Sequence, residues 1–348
     1  MRKLFYVLAI ASVVSCGNNE TKTEQANKNE TQQEESNKFA ALDKQAKTLF
    51  AVLPKDAINP DNAITPEKVA LGKALYFDKR LSKDNTQSCN TCHNLDTYGV
   101  DNQSFSKGNN GGFGGRNSPT TLNAAFHIAQ FWDGREPDVE AQAGGPVLNP
   151  AEMEMPSEKA VVDRLSKIKE YIEMFQKAFP DSKTPITYDN MKKAIGAFER
   201  KLVTPTKFDK YIAGDAKALN DEEKQGLQTY IDAGCTACHS GALLGGNMYQ
   251  KFGLFGDYWK ETGSKKVDNG KFDVTKNEAD KYVFKVPSLR NVEKTYPYFH
   301  DGSVADLKDA VKMMAKLESN KKLDEKQVNQ IVTFLKTLTG EVDQSLKQ

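Results

Sequence analysis

The polar and apolar positions of the chain fall into one short apolar run, one polar stretch and then a series of helical stripes. Leu4 to Val14 is apolar and follows Arg2 and Lys3, which is the h-region of a secretory signal, too short to span a bilayer. Residues 17–39 are nearly all Asn, Glu, Thr, Gln, Lys and Ser. They hold too little apolar surface to offset chain entropy and read as a disordered tether. Thr65-Pro66-Glu67 then opens a helix with proline in its first turn, and Val69, Leu71, Leu75, Tyr76 and Phe77 form its apolar side. Ala194, Ile195, Phe198 and Leu202 fall at helical spacing and predict a helix from Asn190 to Leu202, stopped by Pro205. Asn220-x-x-Glu223 is a capping-box pattern leading into Leu227, Tyr230 and Ile231. Asp324-x-x-Gln327 repeats it before Val328, Ile331, Val332, Leu335 and Leu338, with Gly340 as the stop. The pattern predicts a mainly α protein of two tandem domains, residues 40–205 and 206–342, with a Gly- and Asn-rich loop from Gly99 to Gly115 in the first.

Both domains carry the same chemical signature. Cys89-Asn90-Thr91-Cys92-His93 and Cys235-Thr236-Ala237-Cys238-His239 are each Cys-x-x-Cys-His, the attachment pattern of c-type haem. Each thiol pair closes thioethers to the porphyrin, and the adjacent His ligates iron from one face. A second repeat lies downstream. Pro119-Thr120-Thr121-Leu122-Asn123 leads to Phe131-Trp132-Asp133-Gly134, and Pro287-Ser288-Leu289-Arg290-Asn291 leads to Phe299-His300-Asp301-Gly302. Residues 256–280 read as an insertion in the second copy. The fifth Cys, Cys16, ends the apolar run in Val13-Val14-Ser15-Cys16 and resembles a bacterial lipobox. Residues 1–16 then read as a lipoprotein signal, and acyl chains on Cys16 would anchor the protein at a membrane surface. With 48 basic against 47 acidic residues, the charge gives no footprint for nucleic acid.

The sixth iron ligand decides what each haem does. Met248, Met313 and Met314 are the candidates at the second iron, of which Met248 stands too close to the motif. Only His127 and His300 remain beyond the two attachment histidines. His127 reads as a packed or surface residue, and His300 as a hydrogen-bonding one near a propionate or between domains. No ligand is then supplied to the first iron, which predicts an open site. Cleaving an O–O bond there needs a proton shuttle. Glu152 is the first candidate and Glu154 the second, with Gln142 upstream.

These residues resemble the bacterial dihaem cytochrome c peroxidases across nearly all of residues 45–340. The resemblance rests on Cys89 to Leu95, Arg116-Asn117-Ser118-Pro119-Thr120, Gln130 to Arg135, Glu152-Met153, Cys235 to Gly241 and Tyr298 to Gly302. It implies an enzyme that reduces hydrogen peroxide with electrons from a small cytochrome or similar donor, on the periplasmic side, where the Cys16 lipobox would anchor it. The first haem would be peroxidatic, Glu152 the acid–base residue with Gln142 beside it, and Trp132 the residue on the electron path. Met314 would be the axial ligand of the high-potential haem. Asn117, Thr295 and Pro297 would bind calcium, and a homodimer is common in the family. Where many members place a blocking distal His, this chain has Asn109, which puts their reductive-activation switch in doubt. Two other readings stay open. One is an oxidase of the methylamine-dehydrogenase-maturation type, against which Met314 argues. The other is an electron carrier with both irons closed, needing His127 or Lys107 as a ligand.

Overall fold

A computed structural model of the protein describes residues 38–347. The signal segment, Cys16 and residues 17–37 of the expected tether lie outside the described residues. Residues 38–45 lead into helix α1 (Ala40–Leu49), and the body of the fold is residues 46–347. Its helices are α2 (Pro66–Phe77), α3 (Cys89–Cys92), α4 (Val139–Leu148), α5 (Glu158–Leu165), α6 (Lys169–Ala178), α7 (Tyr188–Glu199), α8 (Lys207–Ile212), α9 (Asp221–Asp232), α10 (Tyr258–Thr262), α11 (Phe272–Thr275), α12 (Leu307–Ser319) and α13 (Glu325–Lys336). One antiparallel pair, β1 (Tyr249–Lys251) and β2 (Val283–Lys285), sets Tyr249 opposite Lys285. No helix among the described residues is long and apolar enough to cross a membrane.

The helix starts follow the sequence signals. Thr65 Oγ1 accepts from Lys68 N, and reciprocal capping boxes form at Asn220/Glu223 and Asp324/Gln327. The ends are less legible. The helix expected over Asn190–Leu202 runs from Tyr188 to Glu199, because Thr187 caps it earlier and the chain turns after Arg200. Gly340 does not terminate α13, which ends at Lys336. Gly340 instead lies against the Thr204 and Pro205 carbonyls, where a Cβ would collide.

Two helix crossings carry the fold. α2 packs on α7, and α9 packs on α13. At the first, Gly72 meets the backbone carbonyl of Ala194 and the Phe198 Cβ; at the second, Gly226 meets the carbonyl of Gln330 and the Phe334 Cβ. Only a residue without a side chain allows approaches this close. Leu71 and Leu75 pack with Met191, Ala194 and Ile195, while Tyr76 lies 5.2 Å from Phe198. Tyr230 lies 5.0 Å from Phe334 at the second crossing. Each fully buried Leu or Phe contributes roughly 1.5–3 kcal/mol.

The halves meet at Thr204. Its hydroxyl accepts from Asn123 Nδ2 (2.8 Å) and from Asn291 Nδ2 (2.9 Å). Asn123 N bonds the Leu202 carbonyl at 2.8 Å, and Asn291 N bonds the Leu338 carbonyl at 3.0 Å. The sequence repeat is therefore also a repeat of hydrogen bonds.

Gly72→Ala is expected to destabilise the protein by about 1–3 kcal/mol, because the Ala194 carbonyl leaves no room for a methyl group. Denaturant midpoints of the two haem-loaded proteins check this, and equal midpoints would refute the crossing as a stability determinant.

Candidate functional site

The crossings place the two histidines. Tyr76, on α2, donates its hydroxyl hydrogen to the His93 carbonyl at 2.6 Å. Tyr230, on α9, donates to the His239 carbonyl at 2.8 Å. Burial pushes both phenols well above their usual range, so both remain donors. One turn of backbone then orders each motif, with His93 N bonding Cys89 O and His239 N bonding Cys235 O, both at 2.9 Å. These tyrosines were missed in the sequence. The signal was there: Gly72-x-x-x-Tyr76 and Gly226-x-x-x-Tyr230 precede the two motifs.

The residues fit the group that the motif requires. All four cysteines are free and partly exposed. Burial raises the Cys92 thiol to about 11 and Cys235 to about 12, and it raises Cys89 and Cys238 as well. His239 Nδ1 lies 3.0 Å from the Leu244 carbonyl. With the proton on Nδ1, Nε2 keeps its lone pair for a metal. His93 Nδ1 is buried without a hydrogen-bond partner. Burial lowers both imidazoles below their usual range, which favours the neutral, ligating form.

The two candidate acids separate clearly. Glu152 lies in the turn after α4, partly buried, with Asn149 Nδ2 donating to its Oε1 at 2.8 Å. Burial raises its pKa, against smaller opposing effects of Arg135 and Asn149. Its charge reaches the thiols of Cys89 and Cys92. Glu154, by contrast, pairs with Lys83 at 2.7 Å and accepts from Asn109 Nδ2 at 3.0 Å, and these contacts hold its carboxyl below the usual range. Asn109 N also bonds the Glu152 carbonyl at 2.7 Å, so the Gly-rich loop is tied to the acid-bearing turn. Gln142 is half-buried on α4. No hydrogen bond joins its side chain to Glu152 among the described residues.

Trp132 is held by a ladder that links both repeats. Its Nε1–H donates to the Asn117 carbonyl at 2.9 Å, and Asn117 N bonds the His300 carbonyl at 2.7 Å. Below it, Arg116 joins Asp133 (2.6 Å) to both oxygens of Asp268 (2.7 and 2.8 Å). Burial alone would raise the Asp268 carboxyl, but Arg116 holds it below the usual range. Asp268 comes from the insertion, which the repeat pattern gave no reason to connect with Arg116. Among the described residues the His300 ring has no side-chain hydrogen bond to protein, which leaves a propionate as its prospective partner. The ring stacks on Phe284 at 4.5 Å, and its Nε2 is buried without a partner.

Met313 and Met314 are half-buried on α12. Met314 shares a helix face with Glu318 one turn later, and Glu318 acts on the Cys238 thiol. Met248 sits where its carbonyl bonds Val286 N at 3.0 Å. His127 is packed, as expected, with Nδ1 3.1 Å from Lys285 Nζ. For the calcium candidates, Asn117 Nδ2 donates to the Gln103 carbonyl at 2.9 Å, while Asn102 Nδ2 donates to the carbonyls of Lys294 (3.1 Å) and Tyr296 (2.8 Å). The Thr295–Pro297 loop therefore lies beside the 102–117 loop. The described residues contain no cluster of three or more His, Cys, Asp or Glu for a metal. A calcium site here would rest on carbonyl oxygens.

The di-haem cytochrome c peroxidase family model matches residues 66–217, and the cytochrome c model matches residues 223–339. Cytochrome c551 peroxidase of Pseudomonas aeruginosa is 45% identical over 305 residues, covering 86% of this chain and 87% of that protein. Cytochrome c551 peroxidase of Nitrosomonas europaea is 47% identical over 290 residues, covering 82% and 85%. Among solved structures, a MauG-like protein associated with microbial copper homeostasis matches with a TM-score of 0.73 at 28% identity, covering 84% of this chain and 94% of that one. The mainly α fold is thus two tandem cytochrome c-like domains whose motifs carry covalently bound haem c. The chain belongs to the di-haem cytochrome c peroxidase family and is an oxidoreductase of that family.

Proposed function

We propose that the protein reduces hydrogen peroxide to water at the first motif, with electrons delivered through the second from a small cytochrome or similar donor. The balance is one peroxide, two electrons and two protons to two waters. Two haems, once bound, supply the redox chemistry, one held by Cys89, Cys92 and His93, the other by Cys235, Cys238 and His239. The chain's own part is to move protons at one and to tune and connect the other. We take residues 40–205 and 206–342 as the two domains that divide this work.

Glu152 is the proton carrier in this reading. The observation that supports it is the contrast with Glu154. Glu152 is partly buried, raised in pKa and within electrostatic reach of the Cys89 and Cys92 sulfurs, whereas Glu154 is tied to Lys83 and Asn109. A raised carboxyl both takes a proton from bound peroxide and returns it to the leaving oxygen near neutral pH. Asn149 fixes one oxygen and leaves the other to act. Gln142 is assigned beside it on position alone.

Met314 is the axial sulfur at the second haem, supported by the face it shares with Glu318. Trp132 lies on the electron path, and its Nε1–H bond to Asn117 O keeps the indole in one orientation. Asn117, Thr295 and Pro297 hold a calcium ion that stiffens this ladder. The protein works on the periplasmic side of the cell envelope, lipid-anchored through Cys16, as a homodimer. The carrier reading loses support, since His127 is engaged by Lys285 and Lys107 is exposed. The maturation-type oxidase has the MauG-like structural neighbour in its favour and the α12 methionine against it.

Glu152→Gln should lower peroxide turnover by roughly 10²–10⁴-fold with both haem spectra intact; unchanged turnover would exclude Glu152. Met314→Ala should lower the midpoint potential of the second haem in a spectroelectrochemical titration, and an unaltered midpoint would point to another ligand. The fully oxidised protein should react with peroxide without prior reduction, because Asn109 spends its amide on Glu154. An absolute requirement for reduction in stopped-flow mixing would contradict that expectation.

A further inference from the structure

Lys285 is buried at 6% exposure, on β2. Its backbone N–H donates to the Trp132 carbonyl at 2.8 Å. Its ammonium has one polar partner, His127 Nδ1 at 3.1 Å. No carboxylate pairs with it among the described residues. A buried cation without an anion is costly, so the position calls for a reason beyond packing.

The surroundings supply one. The His127 ring lies on Gly246, where a Cβ would stand 2.7 Å from Cδ2, and the preceding Gly245 lies against the His239 ring, where a Cβ would stand 3.0 Å from Nδ1. Only that dipeptide separates His127 from the histidine of the second motif. Ile128 N bonds the Gly246 carbonyl at 2.9 Å and Gly246 N bonds the Val286 carbonyl at 2.8 Å, which locks the three segments together. His127 Nε2 is sealed without a partner.

The other charged or titratable groups around the pair are engaged elsewhere. Tyr249, opposite Lys285 on β1, donates to the Gly134 carbonyl at 3.4 Å, with Lys271 over its ring. Asp133, beside Trp132, is bound by Arg116 and Arg135.

We propose that Lys285 and His127 form a buried proton-binding pair that couples the potential of the second haem to pH. The inference rests on Cys235–His239 holding a haem and not on peroxide turnover. An ammonium beside the His239 side favours the reduced iron, which carries one positive charge fewer. Loss of that proton to solvent removes the stabilisation. Between the ammonium's pKa in the oxidised protein and its higher pKa in the reduced protein, reduction takes one electron onto iron and one proton from solvent onto Lys285 Nζ; outside that interval it takes the electron alone. Burial brings the ammonium's pKa down to about 8 and pushes His127 well below its usual range, so Lys285 titrates while His127 stays neutral.

The test is a spectroelectrochemical titration of the second haem in the holoprotein between about pH 6.5 and pH 9.5, spanning the Lys285 transition on both sides. In the wild type the midpoint should fall with rising pH by an amount equal to a tenfold change in the oxidised-to-reduced ratio, about 59 mV for one electron. Lys285→Met should flatten this dependence at the low-potential end, and Lys285→Arg should flatten it at the high-potential end, since a guanidinium keeps its charge. A structural disturbance would shift both variants the same way and would overturn the proposal. So would a wild-type midpoint independent of pH, or a Met variant that keeps the wild-type slope. Peroxide turnover measured on the same samples reports separately on the catalytic reading.

Discussion

At Gly72 on Ala194 and at Gly226 on Gln330, one helix backbone lies directly against another. Everything chemical hangs from those two contacts. Each brings a helix near enough to its partner that the tyrosine one turn later is sealed in the core, with its hydroxyl aimed at a histidine carbonyl. A phenol buried this way has no water to turn to, so the hydrogen bond to the histidine backbone is enforced. The position of each prospective iron ligand is thus decided by a helix crossing, not by the loop that carries it.

The repeat extends this logic through the middle of the molecule. Asn123 and Asn291 both adopt left-handed backbone and both spend their side-chain amide on the single hydroxyl of Thr204. Oδ1 of the first accepts from Thr204 N and that of the second from Gly340 N, both at 2.9 Å. Two copies of one frame therefore share a buried polar joint in which every member is paired, the condition under which such a network specifies one arrangement. Gly340, read from sequence as a helix stop, belongs to this joint.

How much of this was legible depends on the range of the interaction. Helix starts were, because a cap and its partner lie three residues apart, as at Asn220/Glu223 and Asp324/Gln327. The attachment motifs and the repeated turn were, because each is a local string. The Arg116–Asp268 pair, the stacking of His300 on Phe284 and the contact of Lys285 with His127 were not. Each joins segments far apart in the chain, and no local periodicity encodes such a meeting. Glu152 and Glu154 stand two residues apart, and the sequence ranks them without a contact to separate them. With Glu154 in the αL region, the two side chains meet different surroundings, Glu152 at Asn149 and partly buried, Glu154 at Lys83 and Asn109.

The asymmetry of the molecule then has a structural origin that the motifs alone would not suggest. In both halves the order is entry helix, Cys-x-x-Cys-His, repeated turn, closing helix. Between turn and closing helix, the first half inserts α4, the Glu152 turn, α5 and α6, whereas the second inserts α12 alone. The same interval is filled by a carboxyl-bearing turn in one half and by a methionine-bearing helix in the other. Identical groups hold the cofactor in each, so the difference in chemistry must come from what that interval presents. On the proposed assignment the turn would offer a proton through Glu152 and the helix a sulfur through Met314. On that assignment, divergence within one interval of a duplicated frame would turn two like centres into a site for an oxidant and a store for electrons.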